Sequence, residues 1–285
     1  MLEFLNENTT FAEILLLRKV DSLVLVVEGP DDRLALKRHV SKELILVAGV
    51  GGKPNVLKTA QIAYQEGLSD VRFLLDRDYD EYAADNTVSI GNVIYSTTHD
   101  MFTDIAASNP SLLLDIIDVK MDSVRRKGGS SIPTNDDILS SALNLATDLA
   151  AVRIVDARRK LCLSFRKFRF GGLDTREFDV RTIAQKVFER SEFSLNLDSE
   201  VVSAIMNDVE SMRIEIEDYE YPPIGDHDLF EALARILKLY KVYESDSQLR
   251  EAFILTITCK SLMATEWFRK LNDWGKSFGI SIIKN

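Results

Sequence analysis

The chain is poor in the residues that staple small folds or bind soft metals: two cysteines and three histidines in 285 residues. Cys162 and Cys259 have no CxxC spacing, which excludes a zinc ribbon or a disulfide framework and predicts two buried free thiols. No apolar run reaches the roughly 18 residues of a membrane span. The N-terminus MLEFLNENTTFAEILLLRKV carries acids where a secretory signal needs a basic start. A cytoplasmic protein with no membrane partner is the expectation. Positive charge is also short, with 35 Lys and Arg against 45 Asp and Glu, a net charge of -10. That balance opposes non-specific coating of nucleic acid, which draws its affinity from neutralising phosphates. A nuclease with an acidic metal site inside a local basic surround stays open.

The hydrophobic content of 46% is organised rather than merely present. Leu23 to Val27 is a Val- and Leu-rich run closed by Glu28-Gly29-Pro30-Asp31-Asp32, and Arg72 to Leu75 is a second, closed by Asp76-Arg77-Asp78-Tyr79-Asp80. Each reads as a buried strand that delivers acids at its C-terminal tip. Between them, Pro30 fits the first turn of a helix over Asp31 to Val40, Glu43 to Ala48 is a further apolar run, and a helix is predicted from Val56 to Glu66, ended by Gly67. Phe11 to Val20 forms a leading helix, and Thr87 to Tyr95 an extended stretch. Strands alternating with helices specify an α/β fold with a mostly parallel sheet flanked by helices.

Beyond about Pro110 the strand signals fade. Lys127 to Pro133, rich in Gly and Ser, is the best linker, and helical periodicity then dominates Asp136 to Leu163, Val180 to Arg190, Ser199 to Arg213, Asp226 to Tyr243, Ser247 to Lys260 and Leu262 to Phe278. Two domains are expected: an α/β domain over 1–127 with its N-terminal helix, and a mainly α-helical domain over 128–285 for substrate selection, dimerisation or partner docking.

Asp76 and Asp78 stand two apart, so a strand persisting through them would point both the same way. Together with Glu28 they form the hard-oxygen set that Mg²⁺ or Mn²⁺ takes beside substrate phosphate, with Asp80 as an outer ligand. Acids after buried strands also serve as helix caps, and Asp32, His99 and Asp100 carry both readings. Asp226, His227 and Asp228 read best as a cap. Gly51-Gly52-Lys53 lacks the spacing of a phosphate-binding P-loop, which argues against a nucleotide triphosphatase. Lys53 is placed either to meet a substrate phosphate or as a plain surface lysine.

The segments VLVVEGPDD and FLLDRDYD, joined by VAGVGGKPNV, resemble the Toprim domain of topoisomerases, primases and OLD-family nucleases over Ser22 to Asp104. The resemblance implies Glu28 as general acid/base or metal ligand, Asp76 and Asp78 as metal ligands, and phosphoryl transfer as the chemistry. THDMF at Thr98 to Phe102 and GDHDLFEALARIL from Gly225 are similar to the Toprim-containing DUF4435 family, whose best-understood members are effector nucleases of the PARIS anti-phage system. That implies a ribonuclease held by an ABC-type ATPase, released when a phage anti-restriction protein is sensed, and attacking host tRNA as a homodimer. A catalytically silent Toprim-fold subunit of an ATPase complex and an OLD-like DNA nuclease are the alternatives.

Arg153, Arg158, Arg159, Lys160, Arg166, Lys167 and Arg169 form a basic tract interleaved with Phe165, Phe168 and Phe170. It is a candidate nucleic-acid-binding surface or a dock for an acidic partner. The stretch Glu210 to Glu220, by contrast, is acidic.

Overall fold

The computed structural model describes residues 6–82, 89–127, 132–165, 168–172, 179–193 and 198–284. Their contacts divide the chain into two units. The first takes residues 1–77, 87–109 and 257–285, the second residues 78–86 and 110–256. The division therefore differs from a single cut near 128: the helix after Pro110 belongs with the helical unit, and the C-terminal segment returns to the α/β unit.

In the α/β unit the order is α1 (Glu7–Leu17), β1 (Leu23–Val27), α2 (Pro30–Lys37), β2 (Leu44–Ala48), α3 (Gly52–Gln65), β3 (Val71–Leu75), β4 (Val93–Tyr95) and α4 (Met101–Ser108). The four strands form one all-parallel sheet in the order β2-β1-β3-β4. All five β1 residues are buried, as a central strand covered on both faces must be. One face packs Val24, Val26, Val71, Phe73 and Leu75 against Ile14 of α1 and Val56, Ala60 and Ala63 of α3. Thus α1 contributes to the core rather than lying over an edge.

The order 2-1-3-4 arises because the chain leaves β1 for β2 on one side and comes back to place β3 on the other. The C-terminal ends of β1 and β3 flank the point where the winding reverses, the position at which parallel sheets open a crevice for ligands.

The returning segment holds α11 (Cys259–Ala264) and α12 (Glu266–Ser277); the helices numbered between α4 and α11 belong to the helical unit. The indole N–H of Trp274 donates to Ser69 O at 3.1 Å, and the Arg72 guanidinium lies over the Trp274 ring at 5.3 Å. Val40 and Ile283 form an antiparallel bridge, with Ser41 N–H donating to Ile282 O at 2.8 Å. Helical periodicity predicts helices over Ser247–Lys260 and Leu262–Phe278, whereas the chain breaks after Thr256 and again at Thr265, and periodicity says nothing about which core receives these helices.

The helical unit contains α5 (Ser111–Arg126), α6 (Asn135–Arg159), α7 (Val180–Arg190), α8 (Ser199–Glu217), α9 (Asp226–Leu239) and α10 (Asp246–Thr256). α6 is its hub and packs against α5, α7, α8 and α9. It is the one described helix long and apolar enough to cross a membrane by length and composition, and 72% of its apolar window is buried inside the protein, as in a core helix. Both cysteines are free, but only in part as expected. Cys259 is half-buried, whereas Cys162 is exposed in a left-handed turn (φ 60°) just after α6.

Candidate active site

Glu28 directly follows β1 and Asp76 directly follows β3, side by side because Val27 pairs with Leu74. The Glu28 carboxylate accepts from the backbone N–H of Asp76 at 2.8 Å, so the two tips are joined directly. Asp76 Oδ1 in turn accepts from the backbone N–H of Met101, the first residue of α4, at 3.0 Å. A carboxylate facing a helix N-terminus is favoured by the helix dipole. That help is outweighed here: burial, and then the charges of Asp100, Asp32 and Glu28, push the Asp76 carboxyl well above the usual carboxylate range. Four acids therefore share one partly buried edge of the sheet.

Two of them also have structural work. Asp32 Oδ2 accepts from Gly29 N–H at 2.8 Å, closing the first turn of α2. Asp100 is the N-cap of α4: its Oδ1 accepts from Thr103 N–H at 2.7 Å, and its Oδ2 lies 3.2 Å from His99 Nδ1. Both residues thus serve as helix caps, and their charges also act on Asp76. The Lys53 ammonium donates to Arg77 O at 3.1 Å, which puts the lysine next to Asp76 rather than out on a free surface.

Asp78 departs from expectation. β3 ends at Leu75 and Asp78 takes a left-handed φ of 52°, opening a turn that includes Asp80. The strand alternation that would have aimed Asp76 and Asp78 alike has already ended. By its contacts the turn from Asp78 groups with the helical unit.

Sequence reasoning missed Ser96 and Asp104. Ser96 Oγ accepts from Arg77 N–H at 2.8 Å, and Ser96 O accepts from Arg77 Nε at 3.1 Å, tying the end of β4 to the residue after Asp76. Asp104 is buried, and its carboxylate accepts from the amides of Thr97 and Thr98 and from the Thr98 hydroxyl, each at 2.6 Å. Burial raises its pKa, and those three hydrogen bonds offset this only in part. No local signal singles out either residue, because most of their partners are backbone groups that carry no sequence signature.

Among the described residues, four arginines of the basic tract are ion-paired within the chain. Arg153 forms a two-pronged pair with Asp228 of α9 at 2.7 and 2.9 Å, and its guanidinium stacks over Phe165 at 4.3 Å. Arg158 pairs with Glu215 at 3.3 Å, and Arg159 pairs with Asp208, both on α8. Arg169 is exposed but lies 3.7 Å from Glu231. The acidic partner surface is largely the chain's own α8 and α9. Lys160 is exposed in the left-handed cap of α6, and Arg166 and Lys167 lie outside the described residues. Asp226 and Asp228, read from sequence as caps, follow an N-cap at Gly225; they are buried and ion-paired to Arg250 and Arg153, while His227 points outward.

Glu28, Asp32, Asp76 and Asp100 offer oxygen donors, the chemistry a hard divalent cation selects. Among the described residues, no group of three or more His, Cys, Asp or Glu side chains is already converged as a ligand shell. No model of a known protein family matches the chain, and no curated protein sequence does.

Proposed function

We propose that this chain is a divalent-metal-dependent nuclease of the Toprim type. The observation that carries the reading is the junction of Glu28 and Asp76 at the reversal point of a parallel sheet, with Asp100 and Asp32 adding negative charge to the same edge. Clustered carboxylates repel one another, and a cation is the natural relief of that repulsion. Glu28 and Asp76 would hold Mg²⁺ or Mn²⁺; such an ion, when bound, supplies an activated water and neutralises developing phosphoryl charge. Glu28 also holds or releases a proton beside the scissile bond. Asp76 is oriented by the Met101 amide, and Lys53 meets a non-bridging phosphate oxygen. The family motif counts Asp78 among the ligands, and Asp80 is an outer candidate.

The resemblance to DUF4435 narrows this reading further. On it the chain is a cytoplasmic AriB-like effector, held by an AriA-like ABC-type ATPase and released on sensing a phage anti-restriction protein. The released dimer cleaves host tRNA.

The test uses purified full-length chain with total tRNA and, separately, DNA, in Mg²⁺, Mn²⁺ or chelator, beside Glu28→Gln and Asp76→Asn. Chelator-sensitive tRNA cleavage lost in both variants is the expected result. Cleavage surviving both substitutions overturns the site, and cleavage of DNA alone makes the chain OLD-like. No cleavage of either substrate, together with stable association with an ATPase, makes it the silent binding subunit.

A further inference from the structure

β2 is the edge strand of the sheet, hydrogen-bonded only to β1. Leu23 N–H donates to Glu43 O and Gly49 N–H to Val27 O, so the odd-numbered residues of β2 turn their backbone groups toward β1. By the alternation of a strand, Leu44, Leu46 and Ala48 turn theirs outward. Leu44 N–H is used by Ser41 O at 3.2 Å, whereas Leu46 and Ala48 N–H have no hydrogen-bond partner among the described residues. An unpaired edge of this kind is a template for another strand.

A groove of about 870 Å³ runs along this edge, lined by Leu44 to Leu46, by α2 and by residues 279–284. Arg33, Lys37, Lys42 and Lys284 line it with Glu43 as the one acid. All four cations are exposed, and none has an ion-pair partner among the described residues. The local charge thus opposes the net -10 of the whole chain. His39 nearby feels the same field: burial, Arg38 and Lys284 together hold its pKa down.

We propose that this groove docks an extended acidic segment of a partner protein by strand addition to β2. Main-chain hydrogen bonds to Leu46 and Ala48 would set the register, and carboxylates would meet Lys37, Lys42 and Lys284. A second copy of this chain fits poorly, because β2-to-β2 pairing brings two like-charged rims together. The inference concerns a different surface from the acidic edge and stands or falls apart from the nuclease reading.

The test titrates full-length protein into a fluorescein-labelled ten-residue peptide alternating Asp and Val, read by anisotropy, with hydrogen exchange followed at Leu46. The wild type is expected to bind and to protect the Leu46 amide. A Lys37→Glu/Lys42→Glu/Lys284→Glu variant, whose exposed sites leave the fold intact by circular dichroism, should bind at least tenfold more weakly. N-methylation of alternate peptide residues should cost at least as much. Equal binding by the variant or by the methylated peptide overturns the proposal, as does an unprotected Leu46. A single-stranded oligonucleotide that protects Leu46 more strongly than the peptide would assign the groove to nucleic acid, and a dimer protecting it would assign the edge to a second copy; either outcome overturns it.

Discussion

Replacing Asp76 by Asn should stabilise the metal-free protein while removing its activity. The side chains are nearly isosteric, and the carboxamide oxygen can keep the hydrogen bond from Met101 N–H, now 3.0 Å long. What disappears is one negative charge facing Asp100, Asp32 and Glu28. At an effective permittivity near 20, unit charges several ångström apart repel by on the order of 2 kcal/mol. Protonation of Asp76 already relieves part of this, so a net gain of about 1–2 kcal/mol at pH 8 is expected. In a chain of this size that corresponds to a rise in melting temperature of roughly 2–4 °C. Divalent metal should reverse the comparison: at a hundredfold excess over its dissociation constant, Mg²⁺ stabilises the wild type by about 2.7 kcal/mol, and the variant by much less. The assay is thermal melting of both proteins in chelator and in a Mg²⁺ series, beside the cleavage assay. Loss of more than about 1 kcal/mol by the metal-free variant, outside the range expected for an isosteric surface-like change, would refute the clustered-charge argument. So would a wild-type melt insensitive to both Mg²⁺ and Mn²⁺.

Arg153→Ala leaves Asp228 buried without its partner and should cost the helical unit about 3 kcal/mol, read from urea denaturation; Arg153→Met/Asp228→Leu should recover most of it, and a silent Arg153→Ala would return this arginine to surface duty. Burial outweighs the Arg213 partner and lifts Asp148 to about 6. The folded protein therefore keeps that proton to higher pH than the unfolded chain, whose aspartates titrate near 4, so stability falls as pH rises between these values, by up to about 3 kcal/mol. Asp148→Asn should flatten that stretch of the urea-midpoint profile, and an unchanged slope would contradict it. A Cβ on Gly49 would sit 2.3 Å from Val56 Cγ2 and 3.3 Å from Val27 O. Gly49→Ala should therefore cost about 1–3 kcal/mol, with Val56→Ala in the same chain relieving part of the loss; strictly additive denaturation energies would rule out that clash.

Much of the acidic edge was legible because its information is local. Val and Leu runs of strand length, each closed by turn residues and acids, place Glu28 and Asp76 at strand tips, and alternating helices force those strands parallel. The same reasoning failed two residues later at Asp78, where the backbone turns left-handed and strand alternation lapses. The basic tract hides its pairing for a different reason. Arg158 meets Glu215 across 57 residues of sequence and Arg153 meets Asp228 across 75, so the tract looks unpaired until α8 and α9 are folded onto α6.

By itself the sequence determined what short-range chemistry controls: the periods that make strands and helices, the Gly and Pro that stop them, the acids at two strand tips, and the mostly parallel winding that follows from crossovers of helical length. Only the tertiary structure decided which charges neutralise one another, that residues 257–285 return to the first core, and that Asp32 and Asp100 join Glu28 and Asp76. The physical reason is the same in each case. A residue's own neighbours fix its backbone, but its electrostatic surroundings come from segments whose proximity is set by burying apolar faces, and that pairing has no signature in the charged residues themselves.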